Sequence, residues 1–148
     1  MESQSWALPD PFYQPEFYAD VAVKRLISWV IDTVIVALLV VVIVPLTAFT
    51  GLFFLPLLAL TVNFAYRVVC LANGSATLGM RLTAIEFRTS RGEQFDFSLA
   101  VLHTLGFTLS WMFFFVQVVS MVFMAGQERG QGLTDLALGT VALNRRAL

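Results

Sequence analysis

Residues 33–66 carry no charged side chain, and neither do residues 97–127. A helix crossing the hydrocarbon core of a bilayer needs about 20 apolar residues, each rising about 1.5 Å. The first stretch is too long for one upright span and reads as two, near residues 26–46 and 52–72, joined by a very short loop. Pro45, Thr50, Gly51 and Pro56 lie in its middle, where a turn between antiparallel helices needs residues that loosen the helix. As one helix the second stretch would reach about 46 Å against a core of about 30 Å, yet it is too short for two full spans. His103, Gly106, Ser110 and Trp111 give its first part a mixed character, whereas 112–124 is nearly all Phe, Val and Met. The favoured reading is an interfacial or tilted stretch over 98–107, then a third span near 108–125. A re-entrant hairpin is the competing one.

Composition agrees with this solvent assignment. The chain is 58% hydrophobic and 13% charged, with a mean hydropathy of +0.80. Soluble domains run near 45–50% apolar and about 25% charged. A water-soluble enzyme is therefore excluded, and the expected fold is an all-α multi-pass membrane protein with three or four short transmembrane helices. A net charge of −1 offers nothing to nucleic acid. The single cysteine, Cys70, provides neither a disulfide nor a cysteine-built metal site. With no metal-ligand cluster, phosphate-cradling loop or nucleophile elbow, no cofactor, no metal and no enzymatic reaction are expected.

The charged residues then set the orientation. Lys24 and Arg25 precede span one; Arg67, Arg81, Arg88 and Arg91 accompany or follow span two; the loop between the two spans is uncharged. By the positive-inside rule the N-terminus and the loop at 73–97 are cytoplasmic, in an inner or plasma membrane. Three spans would place the basic tail at 144–148 on the other side, although it holds Arg145 and Arg146. Residues 1–17, rich in Pro and aromatics and lacking Lys and Arg, read as an irregular arm before a retained anchor, with 18–143 as the membrane domain. Within the cytoplasmic loop, 82–89 favours a strand, 90–93 a turn and 94–97 a short return strand, which together make a small β-hairpin. Residues 78–85 and 133–141 share a spacing of Leu and terminal β-branched residues, although two occurrences do not make a repeat.

Asp32 is the misplaced charge. Seven residues beyond Arg25, it stands about 10 Å further along the helix, inside the hydrocarbon, where a charged Asp costs roughly 2.5–3.5 kcal/mol unless it is paired, protonated or facing a polar cavity. With a turn centred near Phe49 and Thr50, residue n of span one lies level with residue 98 or 99 minus n of span two, so Asp32 faces the neighbourhood of Arg67. The expectation is an Asp32–Arg67 ion pair, with Asn63 one turn away donating a further hydrogen bond and Arg25 snorkelling toward phosphate. Such a pair either fixes the register of two helices or serves a proton or cation pathway. His103, the single histidine, reads as an interfacial or packed residue, and Cys70 as a small apolar filler.

Tyr18–Asp32, with Arg25 before the first span and Asp32 within it, resembles the opening of RDD family membrane proteins. Ala76–Leu82 resembles that family's T-L/P-G-K-R-L segment, and Arg129–Val141 its closing R-Q-x-L-x-D-x-x-A-G-T-V-V. The resemblance runs in order over nearly the whole chain and assigns the signature Arg, Asp and Asp to Arg25, Asp32 and Asp135. Met80 departs from the usual Lys, and Leu136 from a basic residue. The resemblance implies that 76–88 and 133–143 pack together on the cytoplasmic face, that Asp135 closes a polar network there, and that the activity is transport, including cation/proton exchange. Three or four short helices enclose no pathway alone, so a homo-oligomer or another membrane protein is the expected partner. The alternative is an accessory or scaffold subunit whose charges only fix register.

Overall fold

The computed structural model describes residues 8–145, and the remainder of the expected N-terminal arm and most of the basic tail lie outside them. Helix α1 (Val21–Leu46) is 26 residues long, about 39 Å, enough to cross a bilayer. Its inward face is one i, i+4 stripe: Ser28, Asp32, Val36, Val40 and Val44 are buried. The stripe begins polar and turns apolar. The three valines pack against Leu58, Ala59, Val62 and Tyr66 of α2 (Leu55–Ala72). The outward residues, among them Val34, Leu38, Val41 and Val42, are exposed to where lipid would lie. In that solvent the valine stripe holds by close packing, because lipid is as apolar as the partner helix.

Pro45 closes α1, Ala48 and Phe49 adopt left-handed backbone angles, and one turn of 3-10 helix (Thr50–Phe54) leads into α2. The two expected spans thus end at the residues expected of them, with α1 beginning five residues earlier and α2 three later than their sequence bounds. After α2 a tight turn through Gly74 and Ser75 feeds a short helix, α3 (Leu78–Leu82), and strand β1 (Ile85–Arg88).

The expected hairpin within 73–97 is not formed. β1 instead pairs antiparallel with β2 (Val141–Asn144), with Phe87 opposite Ala142. The turn at 90–93 is present, with the Thr89 amide donating to the Glu93 carbonyl. Phe95, however, returns as core: it is buried and stacks on Phe87, its amide donating to Ser75 Oγ. The loop uses its return segment to pack, which leaves the edge of β1 to the C-terminal strand. Because β1 and β2 pair, the loop and the residues just before the tail lie on one side of the molecule. Asn144 accordingly lies beside Lys24 at the start of α1, and not near the turn between α1 and α2 where three full spans would bring it.

The reason is the path of residues 97–126. Helix α4 (Phe97–Met112), capped by Asp96, and α5 (Phe114–Gly126) are bent by 117° about an extended Phe113. The expected span at 108–125 is broken in its first third, so α5 turns back as in the hairpin reading. Neither helix, at about 24 and 20 Å, crosses a 30 Å core alone. The bend makes room for helix α6 (Leu133–Leu138): Thr134 touches Gly106 of α4, and the Leu133 amide donates to Ser120 Oγ of α5. The described part of the N-terminal arm begins at Leu8. Leu8 and Tyr18 pack with Val141 and Leu143 of β2, and Asn144 donates to the carbonyls of Glu16 and Ala19.

Candidate functional site

The short helices α3 and α6 each take part in a site around a buried carboxylate, α3 as donor to Asp32 of α1 and α6 as the carrier of Asp135. Asp135, on α6, is fully buried and accepts four hydrogen bonds. Arg25 Nη1 donates to Oδ2 at 2.5 Å and the Gly132 amide to the same oxygen at 3.1 Å. His103 Nε2 and Thr140 Oγ1 both lie 2.8 Å from Oδ1. Burial alone would push this carboxyl up, but the Arg25 charge and the His103 hydrogen bond outweigh it and hold it well below the usual carboxylate range. An ionised carboxylate only accepts, so His103 Nε2 carries the hydrogen, and Nδ1 is buried with no partner. Arg25 also donates to the Gly130 carbonyl and stands over the Phe87 ring.

Asp32 is 4% exposed and accepts from Tyr66 Oη at 2.7 Å, Thr77 Oγ1 at 2.6 Å and the Gly79 amide at 2.9 Å. Thr77 also caps α3 by accepting from the Met80 amide. Gly79 is required by proximity: a Cβ there would lie 2.3 Å from the Ser28 carbonyl and 2.8 Å from Asp32 Oδ1. Asp32 therefore docks α3 on α1.

The expected Asp32–Arg67 ion pair is not formed, and Asn63 makes no hydrogen bond to Asp32. The hairpin count allowed residue 66 as well as 67, and the Tyr66 hydroxyl takes the position while α3 supplies the other donors. Arg67 turns away to lie 3.8 Å above the Phe107 ring of α4, 6% exposed, with no hydrogen-bond acceptor among the described residues. Arg25 does not snorkel; it is spent on Asp135.

Between α1, α2, α4, α5 and α6 lies a cavity of about 310 Å³. Its walls bring together Arg25, Asp32, Arg67, His103 and Asp135, with Ser110, Gln117 and Ser120 as neutral polar groups. Its apolar walls include Phe107 and the stacked pair Trp29 and Trp111. Arg25, Asp32 and Asp135 thus share one site despite a sequence separation of more than a hundred residues. The expectation missed Thr77 and Gly79, whose only signal was the quoted Ala76–Leu82 segment, and Tyr66, which the hairpin count allowed, and it read His103 as an interfacial or packed residue. Met80, where a Lys was expected, is a buried core residue that lines the cavity.

In comparison with known proteins, the RDD family model matches residues 19–139. No curated protein and no solved structure matches.

Proposed function

The chain belongs to the RDD family of membrane proteins, and from that premise we propose that it is a transport-associated, non-enzymatic component of the inner or plasma membrane. It works as an oligomer or beside another membrane protein, with its N-terminus and two-stranded sheet on the cytoplasmic side. The observation that carries this reading is the cavity lined by two guanidinium groups, two carboxylates and an imidazole within an apolar helical body. Ionisable groups at that depth are costly and are found where they face a solute path or one another. In the ion- or proton-exchanging form of the proposal, Asp32 is the group that changes charge. Two of its three donors, Thr77 Oγ1 and the Gly79 amide, come from α3 and its cap, so in this proposal exchange at Asp32 is coupled to movement of α3 and the sheet behind it.

The test is flux in proteoliposomes containing a pH-sensitive dye, with a cation gradient imposed. The Asp32→Asn variant should insert and accumulate yet lose cation-dependent pH changes, and unchanged flux overturns the exchange proposal. A second reading, an accessory or scaffold subunit, is favoured by the same three hydrogen bonds, which fix α3 on α1 without any need for transport. It is supported if wild type carries no flux and Asp32→Asn lowers abundance or co-purification of a partner.

A further inference from the structure

Arg67 is the feature that this reading leaves unused. Its guanidinium is buried in the cavity wall, Nε is fully enclosed, and no nitrogen of the group meets an acceptor among the described residues. A guanidinium presents five N–H donors in a plane, and phenyl contact from Phe107 satisfies its face but none of those donors. The acidic side chains nearby do not make up the deficit. Asp135 is occupied by Arg25, His103, Thr140 and the Gly132 amide, and Asp32 by Tyr66, Thr77 and the Gly79 amide.

The cavity around this donor set is of the size of a small-ligand pocket. Away from the charged groups its wall is Trp29, Phe107, Trp111, Met121 and Met124. Leu26, Trp111 and Met121 line the cavity and are also exposed on the outer apolar surface, so it opens sideways to where acyl chains would lie. Arg67 itself is five residues from the end of α2, about 8 Å, close to headgroup depth. Resting on the transport-associated reading of this cavity, we propose that it binds an amphiphilic oxyanion, a carboxylate or phosphate bearing an apolar chain. The oxyanion sits on the Arg67 guanidinium and the chain leaves between Trp111 and Met121.

The test is photo-crosslinking of the full chain in phosphatidylcholine nanodiscs with a diazirine-bearing long-chain fatty acid. Labelling should concentrate on the peptides holding Trp111, Met121 and Met124, and oleate should compete for it at least tenfold better than oleyl alcohol, reflecting a charge-assisted hydrogen bond. Arg67→Gln should lower labelling by a similar factor, while Arg67→Lys restores part of it. Should Arg67→Gln fail to fold, Ser110→Leu fills the cavity without touching the charge and should also lower labelling. Labelling spread over the outer helix faces, equal competition by the alcohol, or indifference to both variants overturns the proposal. Equal competition by inorganic phosphate and by acetate overturns the requirement for a chain. The readout is binding alone: labelling without flux leaves this inference standing and removes transport, and flux without labelling does the reverse.

Discussion

Replacing Asp135 by Asn keeps the size of the side chain and removes its charge, which isolates the term that the buried network depends on. In wild type the carboxylate accepts from Arg25, His103, Thr140 and the Gly132 amide and is wholly inaccessible. An amide replaces one acceptor oxygen with a donor, so one of the Arg25 or His103 contacts becomes donor against donor. Arg25 then remains partly buried, its side chain only 14% exposed, without its counter-charge. Breaking a buried pair in this way costs about 3–5 kcal/mol, and the residual access of Arg25 to solvent argues for the lower end, about 3 kcal/mol. The assay is reversible unfolding in mild detergent, followed by tryptophan fluorescence, for Asp135→Asn, Arg25→Met and the double variant. Because removal of Arg25 also removes the uncompensated charge, the double variant should be at least about 2 kcal/mol more stable than the sum of the singles implies. Single losses below about 1 kcal/mol, or additivity within about 0.5 kcal/mol, would refute the argument that this pair fastens the C-terminal segment to α1.

The acid dependence follows with its sign fixed by the lowered carboxyl. Its contribution is complete above the unfolded value near 4 and is lost as pH falls from there through the lower folded value, so the stability gap between wild type and Asp135→Asn should hold from pH 7 to about 5 and shrink below about 4. A gap that closes between pH 7 and 5 would contradict it. Gly79→Ala should cost about 1–3 kcal/mol, because its Cβ would meet the Ser28 carbonyl at 2.3 Å, whereas Gly126→Ala, with open space around it, should be within about 0.5 kcal/mol of wild type by the same unfolding measurement. In a Cys70→Ala background, cysteines at 88 and 141, which face each other across the sheet, should form a disulfide on mild oxidation; absence of the cross-link would contradict the β1–β2 pairing. Cysteines at 92 and 145 should react with an impermeant thiol reagent from one side of the membrane and a cysteine at 50 from the other.

What the sequence by itself determined is what each stretch says about its immediate solvent and its own helix. Two charge-free runs fixed the membrane class, and the ends of α1 and α2 followed from Pro45 and from where polarity resumes after Ala72, because those are local conflicts between chain and lipid. Which face of α1 turns inward, the i, i+4 stripe from Ser28 to Val44, was not among these, because residues 34–46 are apolar on every side. Pairings between distant segments were not decided there. Strand β1 had two possible partners in the sequence, and in the structure it pairs with β2 while Phe95 is buried against Phe87. The 78–85 and 133–141 echo proved to be two short helices, each followed by a left-handed residue, Ala84 or Gly139, and a strand, and these strands are the ones that pair. Asp32 was marked as unusual by position, but its partners depend on α3 folding back over α1, a contact permitted only by the absence of a side chain on Gly79. For the same reason His103 could not be told from a packing residue. Its hydrogen bond exists only once the bend at Phe113 and the insertion of α6 bring Asp135 beside it. Charge and periodicity are properties of neighbouring residues, whereas the partner of a buried charge is settled by which distant donor arrives within about 3 Å, and that is decided by tertiary packing.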